Sequence, residues 1–156
     1  MEEQATETQV DFKVLVRKQV VINYDQPVSK ISLSRKVKDV HQDISKVKIK
    51  KTGERSVNLV LVDLGPNVCH HKAKKLMADQ GIEQAGVHET FHFIEFLTEL
   101  STAEKIFISA LREESRHGIL GLIPTICMYG KNSIIISLSP KDDLPLYRIY
   151  FLGIEN

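Results

Sequence analysis

"STAEKIFISALREESRHG", residues 101–118, joins a stretch carrying two histidines to an apolar C-terminal third. Ser101-Thr102-Ala103-Glu104 has the S/T-x-x-E form of a capping box, in which the hydroxyl and the carboxylate satisfy free backbone N–H groups at a helix start. Ala103, Ile106, Phe107, Ala110 and Leu111 then recur at helical spacing, and Gly118 supplies a stop. The spacing predicts a helix over 101–118. Immediately upstream, residues 87–100 show the same period, with Val87, Phe91, Phe93, Ile94, Phe96, Leu97 and Leu100 on a wide apolar arc. Two helices with so short a link should form an antiparallel hairpin.

A further helix is expected ahead of this pair. Gly65-Pro66-Asn67 breaks a strand, Asn67 can cap, and the helix runs to about Gln80 with Gly81 as the residue after its end. From Val10 to Leu64 the pattern is β-like, with "VDFKVLVRKQVVINY", "VSKISLSRKV", "ISKVKIK" and "VNLVLVDL" as four strands. The last two should form a hairpin about Thr52-Gly53. After Gly118, "ILGLIPTICMYG", "SIIISLS" and "LYRIYFLGI" read as three more strands, with Pro124 assigning part of the first to an edge or bulge. Strands segregated from helices predict an α+β fold. The expectation is a mostly antiparallel sheet of about four N-terminal and three C-terminal strands, with three central helices packed on one face. Residues 10–156 form one domain in this reading, behind a disordered leader at 1–9.

The histidine stretch is "VHETFHFIEF", residues 87–96. His88-Glu89-Thr90-Phe91-His92 matches H-E-x-x-H. Two histidines at i and i+4 share a helix face and can hold one zinc ion, leaving Glu89 to activate a bound water as general base. On the expected hairpin, Glu114 and His117 of the following helix come alongside His88. Zinc peptidases of the gluzincin type supply a third ligand, a Glu, from a following helix about twenty residues on, and Glu113 and Glu114 fall at about that offset. Residues 87–117 resemble that family in this respect, which would make Glu89 catalytic and His88, His92 and Glu114, with His117 beside it, the metal set. The C-terminal strands depart from the family, whose corresponding part is usually helical. The pairs Glu89-x-x-His92 and Glu114-x-x-His117 also have the di-iron bundle form, which needs a fourth helix that this chain lacks. Against all metal readings, His88, His92, Glu95 and Glu99 form a polar stripe opposite an apolar arc, as on any amphipathic surface helix. On that reading the stripe faces solvent and no cofactor is needed.

The remaining composition narrows the classes. The chain has 156 residues, 42% apolar and 26% charged, with 21 basic residues against 20 acidic. That length and apolar content support a core without disulfides. The near-cancelling charge gives no global field for nucleic acid or an anionic membrane. Lys30 to Arg55 is rich in basic residues, but it lacks the interleaved aromatics that single-strand stacking requires. "QDISKVKI", residues 42–49, resembles half of the second signature of PilZ domains, which bind a cyclic dinucleotide. Lys48 stands where that signature has a glycine, and the paired-arginine motif upstream is absent. Two cysteines, Cys69 and Cys127, suit a reducing compartment, and Cys69-His70-His71 has no zinc spacing by itself. No apolar run reaches membrane-span length and the first residues lack a signal-peptide pattern, so a cytoplasmic location is expected. The apolar C-terminal third offers more hydrophobic strand than a small sheet readily buries. It predicts a non-catalytic binding or assembly domain that uses those strands for a protein partner or self-association.

Overall fold

The structure is a computed structural model. It describes residues 12–33, 37–42, 44, 47, 49–66, 68–100, 106–112, 114–116, 119–128, 133–140 and 149–155. Nine described strands join in one mixed sheet: β1 (Lys13–Asn23), β2 (Val37–Val40), β3 (Glu54–Asp63), β4 (Ile82–Gln84), β5 (Ile106–Ala110), β6 (Glu114–Arg116), β7 (Ile119–Met128), β8 (Ile134–Pro140) and β9 (Tyr150–Glu155). Their order is β1-β3-β9-β5-β7-β8-β2, with β4 on β9 and β6 on β7. The β5–β9 and β2–β8 pairings are parallel and the other described pairings are antiparallel. The described α-helices are α1 (His70–Asp79) and α2 (Val87–Phe93).

The expected third helix is not formed. Residues 106–116 instead hold β5 and β6, and the capping-box residues 101–104 lie outside the described residues. Burial on both faces of the sheet explains the difference. Ile106, Ile108 and Ala110 point into one apolar cluster, while Phe107 and Leu111 pack in the other. A strand buried on both sides is apolar almost continuously, and a short continuous run also satisfies a helical template. Two β-branched isoleucines at alternate positions favour the pleated form.

The helices do not share one face either. Along β3, Leu59 and Leu61 enter the larger cluster, whereas Val60 and Val62 enter the smaller one. Ala73 and Met77 of α1 join Val60 and Val62, while Val87, Phe91 and Phe93 of α2 join Leu59 and Leu61. The sheet thus has one helix on each side. It also curls around α2, which touches both β1 and β7. Those strands are four places apart, roughly 19 Å in a flat sheet at the usual strand spacing, against a helix about 10–12 Å across. Enclosure on this scale accounts for six buried residues among the seven of α2.

Other expectations shift. β3 pairs with β1 and β9, so the hairpin between residues 44–50 and β3 does not occur. The segment read as a second strand holds a 3-10 turn at Val28–Lys30 and then β2. The helix expected over 87–100 is α-helical to Phe93 and tightens to a 3-10 helix over Ile94–Glu99, where buried Ile94 and Leu97 sit at its period of three. Pro124 lies inside β7, not at an edge: it stands opposite Leu138 of β8, and on its other side β5 ends opposite Thr125 while β6 resumes opposite Leu122. On the β5 and β6 side its missing N–H therefore leaves no gap in a ladder. Helix α1 begins after Cys69 and ends as expected, with Gly81 in the left-handed region at φ 75°.

Candidate functional site

The end of β1 and the start of β3 are locked together, and this lock sets the site. Asn23 Oδ1 accepts the Asp25 N–H at 3.0 Å, Asp25 Oδ1 accepts the Gly53 N–H at 3.1 Å, and the Tyr24 N–H donates to the Gly53 carbonyl at 2.9 Å. Gly53 takes φ 78°, which only glycine adopts cheaply. The lock turns the Tyr24 ring inward, towards the N-terminus of α2. Lys51 Nζ lies 5.4 Å and Arg55 Cζ 5.9 Å from that ring's centre.

Glu89 is fully buried at the third position of α2. Its Oε1 accepts the Tyr24 hydroxyl at 3.2 Å and Lys51 Nζ at 3.4 Å. Its Oε2 accepts the Gly86 N–H at 3.3 Å and lies 3.5 Å from Arg112 Nη2. The Gly86 bond is half of a capping box; glycine has no side chain to return the other half. A buried carboxylate carries a large desolvation cost unless several donors surround it. Here a helix N-terminus, a phenol and two cations do so. Burial first, and then the charge and hydrogen bond of Glu89, push the Tyr24 hydroxyl well above the ordinary tyrosine range.

His88 is buried, not on a solvent-facing stripe. Its Nε2 lies 2.7 Å from the Gln26 carbonyl, so that nitrogen carries the proton and donates. Its Nδ1 is buried without a hydrogen-bond partner, as is Nε2 of half-buried His92. The His88 ring tilts against Tyr24 at 5.4 Å between centres. Burial, and after it the neighbouring His88, lower the His92 pKa against the opposing pull of Glu95 and Glu89. Glu95 alone of the stripe is shown exposed; the Glu99 side chain lies outside the described residues.

Among the described residues the zinc set is not brought together. Glu114 sits on β6 opposite Leu122, not on a helix beside His88, because the helical hairpin is replaced by strands. Glu113 and His117 lie outside the described residues. His88 uses Nε2 as a donor, so that nitrogen has no lone pair for a metal, and both oxygens of Glu89 are engaged by donors. Among the described residues, no group of three His, Cys, Asp or Glu side chains is placed to hold a metal ion. The described residues thus assemble no complete zinc ligand set.

The sequence reading missed Tyr24, Lys51, Arg55, Gly86 and Arg112 as members of one constellation. Gly86-x-x-Glu89 was the available signal, since a glycine N-cap with Glu three residues on marks a helix start. Outside the cluster, Tyr24, Lys51, Arg55, Asn58 and Glu83 line an open polar pocket of about 210 Å³ at the ends of β3, β9 and β4. No protein-family model, no curated protein and no solved structure matches the chain.

Proposed function

We propose that the chain is a non-catalytic binding and assembly domain that works by protein–protein contact. The observation that carries this reading is the edge strand β1. Eleven residues long, it pairs on one side only among the described residues. The exposed large apolar side chains of the described residues, Phe12 and Val21, both belong to this edge, Val21 with 59% of its surface in solvent. An unpaired strand edge with apolar side chains beside it is a template for strand addition.

The C-terminal strands are a poorer surface than their sequence suggested. Ile149 is core and Ile135 is half-buried, because those strands are central in the sheet or covered by helices. No described helix is long and apolar enough to cross a membrane. The chemistry of β1 selects a partner. Lys13, Arg17 and Lys18 lie on it, and no acidic residue does. A second copy of β1 shares that lack, so an extended acidic segment of another protein complements it better. The internally engaged Glu89 and His88 support a non-catalytic reading over a hydrolase.

The test uses a synthetic extended peptide in which valine or threonine alternates with glutamate, titrated into the protein. Amide exchange is followed along β1. Outward N–H groups of β1 should gain protection, and Val21→Glu should weaken binding while leaving the unfolding midpoint unchanged. Binding that leaves β1 amides unprotected, or that ignores Val21→Glu, refutes the assignment.

A further inference from the structure

We infer that the corner of the polar pocket formed by Tyr24, Lys51 and Arg55 is a binding site for a small oxyanion, such as a phosphate or carboxylate group of a metabolite. This inference stands apart from the β1 edge and does not depend on it.

Charge balance is the first support. Three cations, Lys51, Arg55 and Arg112, surround the Tyr24–Glu89 pair, and among the described residues Glu89 is the single carboxylate bonded within it. Lys51 and Arg112 are directed at that carboxylate. Arg55 is not: its Nε donates to the Thr52 carbonyl at 3.2 Å while its guanidinium lies over the Tyr24 ring. The backbone bond and the ring hold the fork in place, and its two terminal nitrogens remain available to a ligand. A fixed guanidinium fork matches an oxyanion in two parallel bonds, which is the geometry that favours arginine at such sites.

Shape is the second support. Lys51 and Arg55 both line the pocket of about 210 Å³, with Asn58 and Ser56 adding neutral hydrogen-bonding groups to its wall. That space suits a small molecule and not a polymer. Glu83 and Glu155 also line the pocket, Glu155 already held by Arg17 at 3.1 Å. The carboxylates come from β4 and β9 and the cations from residues 51–55, and the oxyanion belongs beside the cations. Lys51, bonded to Glu89 and lying 5.4 Å from the Tyr24 ring centre, links the pocket to the buried cluster. An anion arriving beside it would compete with Glu89 for the ammonium group.

The experiment titrates inorganic phosphate, and separately acetate, into ¹⁵N-labelled protein at ionic strength held constant with sodium chloride. Saturable shifts at Lys51, Gly53, Arg55 and Ser56 are expected. Arg55→Gln, at an exposed position that leaves Glu89's bonds intact, should weaken binding roughly tenfold or more, as expected for removing a charge-assisted hydrogen bond. Saturation by phosphate alone assigns the site to phosphoryl groups; saturation by both assigns it to oxyanions in general. Shifts that fail to saturate, that spread equally to the α1 lysines Lys72, Lys74 and Lys75, or that persist unchanged in Arg55→Gln overturn the inference.

Discussion

Arg112 Nη2 lies 3.5 Å from Glu89 Oε2, and the same guanidinium rests directly on Gly86. The Arg112 N–H also donates to the Ala85 carbonyl at 2.8 Å, so the segment after β5 is fastened to the N-terminus of α2 by backbone as well as by charge. A residue distant in sequence thus completes the surroundings of a buried carboxylate, and it can do so because position 86 carries no side chain.

Gly86→Ala tests this directly. An added Cβ would collide with the Arg112 guanidinium. Backbone strain does not contribute, since φ at Gly86 is −126°. Displacing the guanidinium costs an ion pair and some packing, about 1–2 kcal/mol in urea unfolding. In an Arg112→Ala background the same change should cost at least about 0.5 kcal/mol less, because the colliding group is gone. Equal costs in both backgrounds would show that Arg112 is not what excludes a side chain.

Tyr24 should resist alkaline ionisation. Its hydroxyl titrates above its ordinary value of 10.0 in the folded protein and near that value in the unfolded chain. Above pH 10 the unfolded state therefore binds fewer protons. The stability from this group is complete below pH 10 and is lost as pH rises towards the folded value. The chain has four tyrosines. Tyrosinate absorbance should show a late component that appears only with unfolding and vanishes in Tyr24→Phe. A Tyr24→Phe curve identical to wild type would contradict the buried hydrogen bond to Glu89.

The acid limb belongs in part to His92. Burial keeps it neutral in the folded protein below its ordinary value of 6.5, while the unfolded chain protonates there. The unfolded state then binds more protons, so stability is complete above pH 6.5 and falls as pH drops through the folded value. Replacing His92 with Gln should flatten stability against pH below about 6.5. If the slope is unchanged, the ring is hydrated in solution.

How far the sequence disclosed these features depends on where the governing contacts lie. The β1 segment and the end of α1 at Gly81 were legible because alternation and a left-handed glycine are local signals. Residues 106–116 were not. Ile106, Phe107, Ile108, Ala110 and Leu111 fit a helical arc as well as a strand, and the choice was made by parallel pairing with β9 and burial on both faces, which no local window contains. His88, Glu89 and His92 do lie on one helix, but His88, expected on a solvent-facing stripe, is buried, as is Glu89. Their burial follows from the curl of the sheet around α2 and from Lys51 and Arg112, 38 and 23 residues away in the chain.

Glu89→Gln separates the two meanings of the H-E-x-x-H stretch. If Glu89 were a general base above a metal, its amide would leave the fold unaltered and remove only hydrolysis. If Glu89 is the buried counter-ion described above, its amide leaves Lys51 and Arg112 beside a neutral group and places an NH₂ near the Gly86 N–H or the Arg112 guanidinium. Breaking one side of a buried ion pair costs about 3–5 kcal/mol, and the lower end applies because Lys51 and Arg112 keep 26% and 23% of their side-chain surface in water. For a chain of this size about 3 kcal/mol corresponds to a fall of roughly 6–12 °C in Tm. Removing the cations together with the carboxylate, as Lys51→Met, Glu89→Leu and Arg112→Met in one chain, should recover most of the loss, since no charge is left uncompensated. Calorimetry on the three proteins gives the answer: a Tm for Glu89→Gln within about a degree of wild type would mean that the carboxylate is not the hub of this cluster.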